Sequence, residues 1–229
     1  MISSVIISKD EEGLDGTPDH VWQQARDLTE PSEIIWVDAA VGSLGPTQPC
    51  HVSEVQWLNF EAPTASGISI PHQRSTGVCT AGEGVVFTDA GRHPEPDRLA
   101  LLMAPLQDGE DVTVDWTAGI AARTAPYHYD EFEAGQGSYL RECSTISLSF
   151  RGESFDAVGA FEEGFAYGSD VDFCWQWGKP VTASGKTPDA VICDDWWKRR
   201  QQLRRSYVYD RARTRLYPKL PVTARRPAS

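Results

Sequence analysis

An α/β fold with a central, mostly parallel mixed sheet flanked by helices is predicted by three features of this chain. Short β-branched runs alternate with helical patterns along its length, as parallel strands joined by crossover helices require. Acidic or polar residues close several of those runs, at the edge where open parallel sheets place their ligands. A chain of 229 residues, 40% of them hydrophobic and eight of them Trp, can also bury one full core, so a single domain over 1–229 is expected.

Residues 5–8 read as the first strand. Thr17, Pro18 and Asp19 supply an N-cap and a proline at the first helical position, after which Val21, Trp22, Ala25 and Leu28 fall on one helical face. Residues 34–37 and 55–60 are the second and third strands. A helix over 71–81 stops at Gly82, and 85–88 is the fourth strand. Leu99, Leu102, Met103 and Leu106 make a further apolar helical stripe. Residues 112–116, 146–150 and 190–193 complete the strands, and 196–209 is a basic helix. Residues 117–137 read as a loop carrying Tyr127, His128, Tyr129, Asp130, Glu131 and Phe132. Gly185, Lys186 and Thr187 look like the end of a phosphate loop, but Pro180 replaces its first glycine and Pro188 stands where a helix should begin, so the segment reads as a turn. Gly82, Glu83 and Gly84 lead into a strand and open no helix, which removes a dinucleotide fingerprint.

The net charge of −12 is unevenly placed: 11 of the 21 Lys and Arg residues lie from Trp196 onward, with Asp210 the one acid among them. An acidic body repels phosphate over most of its surface, which argues against nucleic acid as a partner. The basic tail suits a diphosphate, an anionic lipid surface or the acidic body itself. Cys50, Cys79, Cys143, Cys174 and Cys193 are odd in number and widely spaced, so they signal neither a zinc site nor a disulfide framework. Reduced thiols suit the cytoplasm. The opening residues, MISSVIISKDEE, carry no basic n-region and no apolar stretch of about 18 residues. The expectation is a soluble cytoplasmic protein without a transmembrane segment, with room for a membrane-peripheral location.

The most informative stretch contains Phe155, Val158, Gly159, Phe161, Glu162 and Glu163, then Gly168, Ser169, Asp170, Asp172, Phe173 and Trp175. Upstream, His72, Gln73, Arg74, Ser75, Thr76 and Gly77 precede Ala81, Gly82 and Glu83, and Phe87, Thr88, Asp89, Ala90 and Gly91 close the fourth strand. Taken singly, each acid is a helix cap or a turn former. Taken in order, these segments resemble the family 2 glycosyltransferases of the glycosyltransferase A fold, over 5–209. The resemblance implies a single-domain, Rossmann-like glycosyltransferase A architecture. It implies transfer of a sugar from a nucleotide diphosphate donor to an acceptor hydroxyl or similar nucleophile, by one inverting displacement. On the same basis Asp170 is the general base, and Ser8, Lys9, Asp10 and Asp38 hold the nucleotide. Arg74, Asp89, Ala90 and Gly91 meet the diphosphate or ribose, and Tyr127, His128, Asp172 and Trp175 border a small-molecule or lipid-linked acceptor. Residues 1–90 form the nucleotide-binding half, 91–195 the acceptor and catalytic half, and 196–229 a basic helix and tail; a homo-oligomer is compatible with all of this.

Four positions depart from the family's pattern. Gly91 replaces the second acid of its Asp-x-Asp motif, Ser169 a Glu before the base, Gln176 an Arg, and Asp194 a His. A divalent cation needs hard oxygen ligands, so Mg or Mn would rest on Asp89 and Asp194, with His93 close in sequence. The other reading is a metal-free site in which the basic tail faces the leaving diphosphate. The same departures keep two rivals open: a non-catalytic nucleotide-sugar-binding protein, and a nucleotidyltransferase, for whose phosphate loop Gly13 and Gly16 are sparse.

Overall fold

The sheet grows outward in both directions from its first strand. A computed structural model describes residues 1–8, 17–39, 55–60, 70–118, 131–134, 137–140, 145, 148–165, 168–176, 186–193, 207, 211 and 214. In chain order these residues form β1 (Ile2–Ser8), α1 (Thr17–Asp27), β2 (Ser32–Asp38), β3 (Val55–Asn59), α2 (Ile70–Thr80), β4 (Gly84–Asp89), β5 (His93–Pro94) and α3 (Arg98–Gln107). They continue as β6 (Val112–Ala118), β7 (Glu131–Ala134), β8 (Gly137–Leu140), β9 (Leu148–Arg151), α4 (Gly152–Val158), α5 (Ser169–Gln176) and β10 (Lys186–Cys193). Among the described residues, eight strands make one sheet in the order β3-β2-β1-β4-β9-β6-β10-β5, and β7 pairs with β8 in a separate hairpin.

The sheet is parallel through β3, β2, β1 and β4, and again between β6 and β10. β9 runs antiparallel to both β4 and β6, and β5 antiparallel to β10. The chain moves from β1 to β2 on one side and returns to β4 on the other. The crevice at that reversal, outside the carboxyl ends of β1 and β4, is where sheets of this kind bind ligands.

Side-chain alternation along the strands builds a core on each face. Val5 and Ile7 of β1, Ile35 and Val37 of β2, Val85 and Phe87 of β4, and Leu148 and Phe150 of β9 pack with Val78 of α2, Phe155 of α4 and Phe173 of α5. Ile6, Ile34 and Trp36 meet Val21 of α1 on the other face, where Val86 meets Leu99, Leu102, Met103 and Leu106 of α3. Helices therefore cover both faces, as a sheet buried on both sides requires.

α2 lies close against β1. A Cβ on Gly77 would fall inside the van der Waals envelope of Val5 Cγ1 and within 3.5 Å of Val37 Cγ2. Val5 is fully buried and stiff at χ1, so it has nowhere to turn. Gly77→Ala is therefore expected to cost about 1–3 kcal/mol by overpacking. This reads as a lower urea midpoint with an unchanged slope; an unchanged midpoint would show that α2 can lift off the sheet freely.

Three expectations are corrected. Thr17 is the first residue of α1 and not the one before it, and its hydroxyl donates to Arg92 O at 2.7 Å and accepts from Arg92 N at 3.0 Å, tying the helix to the segment after β4. Lys186 and Thr187 open β10 and form no turn, because the strand begins four residues before its apolar run. The expected loop over 117–137 is strand at both ends: Thr117 and Ala118 extend β6, Glu131–Ala134 is β7, and Gly137 opens β8. The rest of that loop, with Tyr127, His128, Tyr129 and Asp130, lies outside the described residues, as does the basic helix over 196–209 apart from Tyr207. No helix among the described residues is long and apolar enough to cross a membrane.

Candidate functional site

Three consecutive residues of α2 reach three different parts of the fold. The helix carries no apolar stripe at its start; its buried residues are Pro71, His72, Gln73, Arg74, Gly77 and Val78. Buried polar side chains must find partners, and these find them at the carboxyl edge of the sheet. Gln73 Nε2 donates to Ser8 O at 2.7 Å and to Val37 O at 2.9 Å, holding the ends of β1 and β2 together. His72 Nδ1 faces Glu163 Oε1 at 3.2 Å, in the loop before α5, and its ring stacks near Phe60 at the end of β3. Arg74 reaches the first turn of α5, where Nη1 donates to Ser169 Oγ at 2.9 Å and Nη2 lies 3.5 Å from Asp170 Oδ2.

Asp170 sits on that first turn with a little of its carboxylate exposed. Thr145 N donates to Asp170 Oδ2 at 3.2 Å, from the segment that leads into β9. Because β9 runs antiparallel, its start lies at the same edge as the ends of β1 and β4. Asp172 behaves differently: it is only 2% exposed, Gln176 Nε2 donates to its Oδ2 at 2.6 Å, and its own N–H donates to Gly168 O. Its carboxylate braces α5 from within. Trp175 lies in α5.

At the ends of β1 and β2, Ser8 Oγ donates to Asp38 Oδ1 at 2.8 Å and accepts from Trp36 Nε1 at 2.8 Å. Asp89 closes β4, and its Oδ1 is buried without a hydrogen-bond partner. Ala90 N donates to Ile7 O, which holds the turn against β1, and Gly91 follows at φ 76°, a backbone conformation that glycine adopts without strain. The structure thus brings Ser8, Asp38, Arg74, Asp89, Ala90, Gly91 and Asp170 to one edge of the sheet. Lys9, Asp10, Tyr127, His128 and Asp194 lie outside the described residues.

Several partners went unpredicted. Gln73, Ser169, Thr145 and the His72–Glu163 pair act across long sequence separations, and the legible signal was a run of polar residues in a helix that had to lie on a sheet. Arg98, buried at the start of α3, donates to Thr88 Oγ1 and Phe87 O beneath the end of β4. Nothing in its local pattern marks it as an interior residue.

The arrangement offers a carboxylate able to accept a proton, a guanidinium beside it suited to phosphate, and an orphaned carboxylate oxygen. No protein-family model matches the chain, and no curated protein matches it in sequence. Solved structures share its fold. The mannosyltransferase PcManGT from Pyrobaculum calidifontis, solved with GDP-Man and Mn2+, is similar with a TM-score of 0.62 at 16% identity, over 86% of this chain and 57% of that one. GalNAc-T7, solved with UDP, GalNAc and Mn2+, is similar with a TM-score of 0.60 at 13% identity, over 86% and 44%. Residues 1–349 of TarS from S. aureus are similar with a TM-score of 0.54 at 15% identity, over 84% and 57%. The chain spans little more than half the length of PcManGT and of this TarS chain. It has the glycosyltransferase A fold.

Proposed function

We propose that this chain is a glycosyltransferase that moves a sugar from a nucleotide diphosphate donor to an acceptor hydroxyl or similar nucleophile, by one inverting displacement. The observation that carries the reading is Asp170, set on the first turn of α5 and held against Arg74 at the edge where β1, β2 and β4 end. An acceptor hydroxyl is a poor nucleophile near neutral pH, and a carboxylate within hydrogen-bond reach takes its proton as the new bond to the anomeric carbon forms. The bond to the leaving diphosphate breaks on the opposite face. Arg74 supplies positive charge to that diphosphate, and Ser8, Lys9, Asp10 and Asp38 hold the nucleotide, with Ala90 and Gly91 passing close beneath it. Residues 1–90 serve the nucleotide, 91–195 the acceptor and the chemistry, and the basic segment 196–229 an anionic group. Tyr127, His128 and Trp175 border the acceptor, which is a small or lipid-linked molecule. The donor class is supported by PcManGT, solved with GDP-Man, and by TarS, solved with UDP-GlcNAc.

The residues present fit a divalent cation in part. Asp89 Oδ1 is a buried, unpartnered hard oxygen, and Mg or Mn sites of this kind commonly use one or two carboxylates together with substrate phosphates. Asp194 would be the second. Among the described residues, however, no three metal-ligating side chains gather. When bound, such a cation would neutralise charge on the diphosphate. UDP or GDP is then expected to bind at least about tenfold more tightly with Mn than with chelator, about 1.4 kcal/mol of coupling, read by titration calorimetry. Equal affinity in both would leave the diphosphate to Arg74 and the basic segment.

A second reading, a nucleotide-sugar-binding protein without turnover, is favoured by Gly91, which offers no side chain where a metal-binding acid is expected. A panel of UDP- and GDP-sugars separates the two. Slow release of free nucleoside diphosphate supports the transferase, whereas tight binding with no release supports the binder.

A further inference from the structure

The guanidinium of Arg74 is loosely held. At 3.5 Å from Asp170 Oδ2, Nη2 is within ionic reach but beyond a well-formed hydrogen bond. Nε is buried with no acceptor, although Arg74 as a whole is 94% buried (relative exposure 6%). A buried N–H without an acceptor costs free energy. A phosphate group, by contrast, can take two parallel N–H bonds from one guanidinium. An arriving phosphate therefore offers Arg74 better bonding than it has in this state.

We propose that Arg74 and Ser169 are positioning residues that keep a cation facing Asp170 Oδ2 until a donor diphosphate draws the guanidinium away, so that donor binding frees this oxygen of the base. This rests on the sugar-nucleotide reading given above. Ser169 makes the arrangement work. Its buried, neutral hydroxyl orients Nη1 without neutralising the cation, so the charge falls on Asp170; an acid at this position would satisfy the guanidinium by itself. The Phe161 ring lies 5.8 Å from Arg74 Cζ, within cation–π range of the guanidinium. Asp170 Oδ2 also accepts from Thr145 N, so a group other than Arg74 helps to hold the carboxylate. What changes is the group facing Oδ2: a guanidinium before the donor arrives, an acceptor hydroxyl after.

The test uses the full chain labelled with 13C at the aspartate carboxyl carbons, the Asp170 signal being assigned by its loss in Asp170→Asn. Titration with UDP, GDP and inorganic pyrophosphate is followed by this signal and, in parallel, by calorimetry. The Asp170 signal should shift and saturate at the concentration at which the ligand binds. In Ser169→Ala, and in Arg74→Lys, whose compact ammonium cannot span both partners, the signal should be displaced before any ligand is added and move less on binding. A purely structural role for these residues would lower the melting temperature without that signature. UDP or GDP binding with the wild-type Asp170 signal unmoved overturns the positioning role and leaves the sugar-nucleotide reading intact. Failure of all three ligands to bind overturns both.

Discussion

Asp170→Asn is expected to reduce sugar transfer by about 10² to 10⁴, or roughly 3 to 5 kcal/mol of transition-state stabilisation, while donor affinity stays within a few fold. The amide keeps the size of the carboxylate and an oxygen for Thr145 N, so the first turn of α5 should persist. It loses the charge that faces Arg74 and the capacity to take a proton. Asp172→Asn is the control. That side chain is buried against Gln176, so its replacement should lower stability and leave the rate per folded molecule nearly unchanged. Single-turnover transfer, with a competent acceptor and saturating donor, distinguishes the two. An Asp170→Asn enzyme working at close to the wild-type rate would place the base elsewhere, with Asp130 and Glu131 the next to replace.

The parallel half of the sheet is legible in the sequence because β1, β2 and β4 each carry a short apolar run, at 5–7, 34–37 and 85–87, that ends at or just before Ser8, Asp38 and Asp89. A strand buried on both faces needs that composition. Strand direction is another matter: nothing in the residues of β9 states that it runs antiparallel between β4 and β6, since its alternating pattern would serve either way. β5 is two residues long, and β7 and β8 are four each, too short to stand out as periodic runs. α4 opens with a glycine and spans seven residues, so its periodicity is equally faint.

The candidate site is legible to a different depth. The order of motifs singled out Arg74 and Asp170, 96 positions apart in the chain, but not that they meet. The reason they meet lies in Gln73 and Ser169, whose hydrogen bonds depend on where α2 and α5 land once the sheet exists. Arg98 shows the same limit from the other side: local reading assigns an arginine to the surface, whereas here the backbone carbonyl of Phe87 and the hydroxyl of Thr88 satisfy it in the interior.

Phe173→Ala is expected to cost about 3–5 kcal/mol of stability, the range for removing a large buried aromatic. Phe173 has no exposed surface and lies three residues after Asp170 in α5. Its ring stacks on Phe161 with centroids 4.5 Å apart, and meets Phe150 of β9 at 5.3 Å and Phe155 of α4 at 5.9 Å. Phe161 in turn packs edge-on against Phe87 of β4 and lies near the Arg74 guanidinium. The cluster therefore fastens the helix that carries Asp170 to the sheet and to the residue facing it. Truncation to alanine leaves a void that rings from three elements cannot close by small shifts, because each is already packed against another. For a domain with about 5–15 kcal/mol in hand, that is a large share. Phe173→Leu retains much of the volume and should lose clearly less. Urea unfolding of the two variants beside the wild type gives the ordering, and donor turnover measured well below the midpoint gives the consequence for Asp170. An unfolding free energy for Phe173→Ala within about 1 kcal/mol of the wild type would mean that α5 is fastened by something other than these rings, and the position of Asp170 would then need a different physical account.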